Sequence, residues 1–363
     1  MNPPGKLSAR LPKTLPGKIL YSAGALLLLL LIVSAFLPSS AQVSRETHID
    51  APAATVFALV SDVGRMREWS PWAGSIPPAE VTLLGPRRGP GAGIRWRSAE
   101  RGSGRQTVVS STPLRSVVTE LELDGRQPST SAFTLEETNS RTRVVWTFEN
   151  DLGMNLFARY LRAVSTRSIA HDYEQGLANL KSMAESLPQA DFSDLQIEHV
   201  LVESAPIAYV TTNSVPNATA ISEAMGEAFF DVLRFMDRNG LKEAGAPVSI
   251  SREFSGSRFV FDAAIPVRGV TESTPESANG VRLGRSYGGP ALRATHIGSY
   301  GDLARTHEKI AAYLAAYGIE RDGDAWESYE SDPARTPESE LVTYVYYPVT
   351  DQQAASQVGI GAL

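Results

Sequence analysis

The sequence predicts an α+β protein in three parts. They are an N-terminal transmembrane helix, an antiparallel-sheet domain closed by a long helix, and a pseudo-twofold duplicated strand-helix-strand-strand domain. Three observations predict it. Residues 19–37 are apolar, uncharged and free of proline. Residues 44–187 pass from a strand through a short helix and several alternating strands to one long periodic helix. Residues 195–351 contain two similar apolar helices, each ending at glycine and each flanked by strand-like runs.

Composition sets the outer limits. The chain has 363 residues, which fits two domains at about 100–200 residues each. Apolar residues make up 42% and charged residues 20%, as in globular protein. Cysteine is absent, which excludes disulfides, thiolate metal sites and thiol nucleophiles. Charge is unevenly placed. Lys6, Arg10, Lys13 and Lys18 precede residue 19, and no acid occurs before Glu46. About −10 is then left on the remainder of a chain whose net charge is −6. So acidic a body argues against nucleic-acid binding through a basic face.

Ile19 to Leu37 reads ILYSAGALLLLLLIVSAFL. At 1.5 Å per residue the run reaches roughly 28 Å, close to the hydrocarbon core of a bilayer. A leucine block inside an all-apolar segment disfavours a buried soluble helix. Two readings stay open, a retained anchor and a cleaved signal peptide, with Ser39-Ser40-Ala41 as small residues at the cleavage position. The stretch is longer than the ~7–15 apolar residues of a signal core, which favours the anchor. The cations before it, against only Arg45 soon after, predict residues 1–18 in the cytoplasm and the body outside. In a Gram-negative bacterium the anchor would sit in the inner membrane and the body in the periplasm.

In residues 44–187, Val43 to Ile49 alternates like a strand. Pro52 opens a helix at its first turn, and Val56, Phe57, Leu59 and Val60 supply the apolar face. Arg67-Glu68-Trp69-Ser70-Pro71-Trp72 reads as an aromatic turn, with Asp62 and Glu68 as solvated surface charges. Strand-like runs follow at Ile94–Arg97, Thr107–Ser110, Val117–Leu123, Ala132–Glu136 and Arg143–Phe148. The last is the clearest, with Val144, Trp146 and Phe148 on one side of the pleat. Ile169, Tyr173, Leu177, Leu180 and Ala184 then recur at helical spacing. The glycine-rich stretch Arg87–Gly93 and the segment Arg101–Arg105 read as hairpin connections.

Ile49-Asp50-Ala51-Pro52 with Val56–Val60, Trp69-Ser70-Pro71-Trp72, and Tyr173–Lys181 resemble the START-like polyketide-cyclase superfamily. The resemblance implies a helix-grip fold, in which a curved sheet wraps a long helix and an apolar ligand lies between them. Trp96, Trp146, Phe148 and Tyr173 are its candidate lining, the alternative being that these aromatics fill the core.

In residues 195–351, Pro188–Asp194 forms a short polar link. One helix carries Ile221, Met225, Phe229, Val232 and Met236 and ends at Asn239-Gly240. The other carries Leu303, His307, Ile310, Leu314 and Tyr317 and ends at Gly318. Gly245 and Gly323 follow at equal distances. Strand-like runs precede the helices at Ile207–Thr212 and Ala291–Ile297. Others follow them at Val248–Ser251, Arg258–Ile265, Ala325–Tyr329 and Glu340–Tyr347. A ligand cleft is expected where the two units meet.

His296–Tyr300, Trp326-Glu327-Ser328-Tyr329, Asp332-Pro333 and Glu340–Thr343 leading into Tyr347-Pro348-Val349 resemble the gyrase-inhibitor-like small-molecule-binding family, which also supplies effector domains of multidrug-sensing regulators. The resemblance implies that Glu327 lies at the floor of an aromatic-lined cleft for cationic, apolar ligands. On a strand, Glu327 and Tyr329 share one face, opposite Trp326 and Ser328. Candidate ligand-binding residues are Glu327, Trp326, Tyr329, Tyr300, Tyr209, Phe230 and Phe259. A carboxylate among rings is costly unless paired, and a cationic ligand pairs it while stacking on them.

The histidines His48, His171, His199, His296 and His307 show no paired metal-ligand spacing, so no metal site and no cofactor are expected. No phosphate loop, dinucleotide fingerprint or nucleophile elbow occurs. Three functions compete. The first is a membrane-anchored sensor or sequestering module for hydrophobic or cationic amphiphiles. The second is a hydrolase of reactive small molecules, with Glu327 as general base and Tyr300 or Tyr329 as donor. The third is an envelope scaffold with vestigial clefts.

Overall fold

A computed structural model of the chain describes residues 15–72, 77, 80–99, 102–123, 127–153 and 155–350. Lys6, Arg10 and Lys13 of the basic tail, Arg101 and residue 351 lie outside them. The molecule is α+β: an apolar helix followed by two domains, each on its own antiparallel sheet.

Helix α1 (Leu15–Phe36) contains one apolar stretch, Ile19–Phe36, long enough to cross a membrane; a signal sequence meets the same criterion. Pro38 ends it, because proline cannot continue the hydrogen-bond ladder. Its last turn docks on the next domain. The Ser34 hydroxyl donates to the Leu156 carbonyl at 2.7 Å. Arg159 donates to the carbonyls of Ser34 and Leu37 at the C-terminal end of α1, where carbonyls run out of helical partners.

The first domain contains β1 (Ser40–Ile49), α2 (Ala53–Ser61), α3 (Val63–Trp69), β2 (Val81–Leu84), β3 (Gly93–Ser98), β4 (Gly102–Thr112), β5 (Ser116–Leu123), β6 (Ser129–Thr138), β7 (Arg141–Asp151) and α4 (Leu156–Ser186). The strands pair in the order β1-β7-β6-β5-β4-β3-β2. Alternation in β7 puts Val144 and Trp146 in the core. Tyr173, Leu177, Leu180 and Ala184 of α4 close over Val43, Ile49, Phe133 and Trp146, burying one helical stripe.

Three expectations change here. Pro52 is the N-cap of α2 rather than a residue of its first turn. The aromatic turn is the end of α3, and Trp69 is fully buried, with its indole N–H donated to the Leu59 carbonyl at 3.1 Å. Asp62 is not a surface charge. It is wholly buried, accepts from the backbone N–H groups of Gly64 and Arg65, and binds Arg87 at 2.7 Å and Arg88 at 3.3 Å. A carboxylate capping a helix N-terminus is favoured by its free N–H groups and dipole. Glu68 keeps a half-exposed side chain, as expected, but pairs with Arg65 at 2.7 Å.

The second domain contains β8 (Ile197–Val202), β9 (Pro206–Ser214), α5 (Ala218–Arg238), β10 (Lys242–Glu243), β11 (Val248–Phe254), β12 (Phe259–Arg268), β13 (Ser277–Ala278), β14 (Val281–Arg285), β15 (Gly289–Ile297), α6 (Leu303–Tyr317), β16 (Trp326–Tyr329) and β17 (Val342–Pro348). The main path of the sheet is β13-β14-β9-β12-β11-β16-β17-β15-β8. The repeat is visible in this order. One unit gives β9-β12-β11, the other gives the mirrored β16-β17-β15, and β11 meets β16 at the seam. Gly318 caps α6 with φ 60°, a conformation that favours glycine.

The two domains pack together. Ala54 and Ala58 of α2 lie against Ala312 and Ala316 of α6, small residues that permit close helix approach. Phe192 of the interdomain link is buried with them, edge-on to Tyr313 at 5.6 Å. Arg65 donates to the carbonyls of Ala315 and Ala316, and Arg88 lies 3.7 Å over the Tyr317 ring. Cations at the C-terminal end of α6 complement its dipole.

Asp62 therefore organises both α3 and this junction. Asp62→Ala removes a buried partner of two arginines. It should lower the free energy of unfolding by about 3–5 kcal/mol, read by urea denaturation of the full chain in nanodiscs. A change below about 1 kcal/mol would contradict the assignment.

Candidate functional site

Two sites emerge. The first is a cavity of about 1320 Å³ between the first sheet and α4. Trp72, Ile94, Trp96, Val108, Trp146, Phe148, Tyr173, Leu161 and Val164 contribute apolar wall. Trp146 stacks on Tyr173 with centroids 3.7 Å apart, and Trp72 meets both rings edge-on. Two glycines make room for the indoles. A Cβ at Gly104 would lie 2.3 Å from Trp96, and one at Gly176 would lie 2.7 Å from Trp146. The wall also carries polar side chains, Arg67, Gln127, Ser168 and Asp172 among them, and several others bond one another. The Ser131 hydroxyl accepts from the Trp146 indole at 2.8 Å and bonds the Tyr173 hydroxyl at 2.9 Å. Burial pushes the Tyr173 phenol well above its usual pKa, against the bond from Ser131. Gln106 donates to the Thr119 hydroxyl at 3.2 Å. Among the described residues, Asn150 Oδ1 is buried on this wall without a hydrogen-bond partner. A ligand donor would satisfy it.

The second site is at the seam of the second sheet. The cross-strand row Val210–Ala263–Ser249–Glu327–Val345–Ala294–Ile197 faces the helices, with Glu327 its one ionisable residue. Both carboxylate oxygens are held. The Tyr329 hydroxyl donates to Oε2 at 2.5 Å, and His307 Nε2 lies 2.8 Å from Oε1. His307 Nδ1 lies 2.7 Å from the Tyr347 hydroxyl. With Nε2 protonated, the imidazole donates to Glu327 and accepts from Tyr347, so one tautomer satisfies both contacts. The side chains of Glu327 and His307 remain 16% and 26% exposed, so solvent reaches the pair. Tyr300 packs edge-on to Tyr329 at 5.3 Å, and Phe229 does so from α5 at 6.3 Å. Burial, with the Glu327 charge beside it, raises the Tyr329 pKa well above its usual value. Burial likewise raises Tyr347.

Residues 40–185 match the family described as polyketide cyclase / dehydrase and lipid transport. Residues 215–350 match the GyrI-like small molecule binding domain. The chain joins a polyketide-cyclase-type domain to a GyrI-like domain. Both are small-molecule-binding domains. Among solved structures, the EcmrR C-terminal domain is 14% identical, with 43% of this chain and 98% of that one covered and a TM-score of 0.37. An uncharacterized conserved protein from Listeria innocua is 15% identical over 43% and 92%, with a TM-score of 0.33. A hydrolase from the same organism gives 15%, 43% and 92%, with a TM-score of 0.32. Likeness at these scores carries no argument about function. No curated protein matches the chain.

In the cyclase-type domain, the expected residues Trp96, Trp146, Phe148 and Tyr173 all meet at the cavity. In the GyrI-like domain, Glu327, Tyr329 and Tyr300 come together, and the others do not. Trp326 lies on the opposite face, stacked on Tyr346 at 4.7 Å. Tyr209 is on that face too, beneath Arg282. Phe230 is 60% exposed and points away, whereas its neighbour Phe229 reaches Tyr329. Phe259 is stacked on Phe261 in the core under α5. His307 and Tyr347 were not among the expected site residues. The signal for His307 is an imidazole at a core position of an apolar helical stripe, where a partner is required.

The raised tyrosines have a consequence for alkaline stability. Their folded pKa exceeds the unfolded value of about 10, so their contribution is full below that pH and falls as pH rises past it. Tyr329→Phe should flatten the loss of stability between about pH 9 and about pH 11, followed by the urea midpoint. An unchanged slope would contradict the buried-phenol geometry.

Proposed function

We propose that the chain is a membrane-anchored binding protein for small hydrophobic or cationic amphiphiles, acting as a sensor or sequestering module. The observation that carries this reading is the cavity of about 1320 Å³, whose wall is built around aromatic rings and aliphatic side chains. It exceeds the usual range for a drug-sized ligand, about 300–1,000 Å³. An open cavity of this size does not fit a scaffold with filled, vestigial clefts. In this reading α1 is retained as a single-pass anchor, with the basic tail in the cytoplasm and both domains outside, at a bacterial cell membrane. The GyrI-like domain adds a second preference. Glu327 is bonded by Tyr329, whose ring Tyr300 and Phe229 flank, and this suits a cation whose charge meets the carboxylate while its apolar body stacks on the rings.

One observation favours a second reading for that site. His307 and Tyr329 fix the Glu327 carboxylate in one orientation, as a general base requires in a hydrolase of reactive small molecules. Binding without turnover separates the first reading from the second.

The test is a thermal-shift titration of the full chain in nanodiscs, with the Glu327→Gln variant alongside. A ligand at about 100 times its Kd adds about 2.7 kcal/mol, a shift of several degrees. A neutral single-chain amphiphile should raise the Tm of both proteins. Tetraphenylphosphonium should raise it in the native chain and lose most of that effect in Glu327→Gln. No shift with either probe would overturn the proposal.

A further inference from the structure

The start of α4 presents an unusual surface. Phe157, Leu161 and Val164 are 73%, 48% and 69% exposed, and their spacing puts them on one helical face. Three large apolar side chains on one exposed stripe need a partner, or they are a liability in water. Their position relative to α1 names that partner. The Leu156 carbonyl accepts from Ser34, and the Tyr160 hydroxyl donates to the Leu30 carbonyl. The first turn of α4 is thus level with the segment from Leu30 to Ser34 of the apolar span. Leu30 lies six residues before the end of α1 at Phe36, a distance of roughly 9 Å along its axis. The apolar stripes of interfacial helices reach about 5–10 Å into the boundary between headgroups and acyl chains. The depths agree.

The cavity reaches the same place. Leu161 and Val164 line it, together with Leu152 and Asn155 at the foot of α4, and the Leu152 N–H donates to the Ser39 carbonyl just beyond α1. Leu123, where β5 ends, lines it from the sheet side.

We infer that the first three turns of α4 form a membrane-contact surface, and that the cavity of the cyclase-type domain opens through it onto the bilayer. The ligand then enters from the lipid phase without crossing water. Phe157 and Val164 lie among acyl chains, while the opposite side of the helix carries Arg159, whose guanidinium caps α1. This inference rests on α1 spanning the bilayer, so its test carries a separate control for that.

The chain has no cysteine, so single-cysteine labelling is clean. Full-length protein is labelled with bimane at Phe157→Cys, Val164→Cys, Leu28→Cys in mid-span, and Val109→Cys. Val109 lies toward the β4–β5 turn, at the far end of the sheet from α1. Each is reconstituted into phosphatidylcholine vesicles in which half the lipid carries bromine on its acyl chains. The expected result is strong quenching at 28, comparable quenching at 157 and 164, at least about three-fold above that at 109, and little iodide quenching at those sites. Quenching at 28 with 157 and 164 as iodide-accessible as 109 would overturn the contact surface and leave the anchor standing. Label at 28 accessible to iodide would overturn the anchor and this inference with it. Val164→Asp tests the mouth: transfer of dibromostearyl alcohol from vesicles, read by quenching of the cavity tryptophans, should slow at least about ten-fold. An unchanged rate would place the entrance elsewhere.

Discussion

The arrangement of the whole molecule depends on one buried carboxylate. Asp62 is fully removed from solvent, where an unpaired charge would be prohibitive. Its four partners are the backbone amides that start α3 and the guanidinium groups of Arg87 and Arg88. Those partners fix two things at once. Val63 and Met66 of α3 face the cavity. Arg65 of the same helix, with Arg88, grips the end of α6. Helix α6 in turn carries His307 to Glu327. One short helix therefore stands between the two binding sites, held by a single acid.

The two sites treat polarity differently. In the cyclase-type domain, aromatic plates form the wall and Ser131 absorbs the indole N–H of Trp146, so the surface offered to a ligand is mainly apolar. In the GyrI-like domain, one carboxylate is placed at the seam of a row of small and apolar side chains. Donors from two directions offset its burial. A cation arriving there meets a charge already oriented, which lowers the entropy cost of pairing.

Much of the fold is legible from periodicity. The β7 segment alternates because one face is core, and α4 repeats its apolar stripe because it crosses a sheet. The duplicated helices of the second domain end at Gly240 and Gly318, both with positive φ. What is not legible has physical causes. Helix α3 has seven residues, too few for a period to register, so Trp69 reads as turn. Asp62 meets Arg87 and Arg88 only through the tertiary fold, so its burial leaves no local mark. Phe229 and Phe230 are neighbours differing by about 100° around the helix, and the fold selects Phe229. Trp326 sits beside Glu327 in sequence, but alternation sends it, like Tyr209, to the other side of the sheet. His307 reads as one more core position until its partner across 20 residues is known.

The central claim is that an amphiphile occupies the cavity of the cyclase-type domain. Trp72, Trp96 and Trp146 line that cavity and Trp69 stacks edge-on against Trp146, so four of the five tryptophans report on it. Dibromostearyl alcohol, a neutral amphiphile carrying a heavy-atom quencher, is titrated into the full chain in nanodiscs while tryptophan emission is followed. The account predicts a saturable loss of more than about half the emission near one equivalent, reversed by unbrominated stearyl alcohol. Emission that falls only in proportion to bulk partitioning, without saturation or reversal, would contradict it.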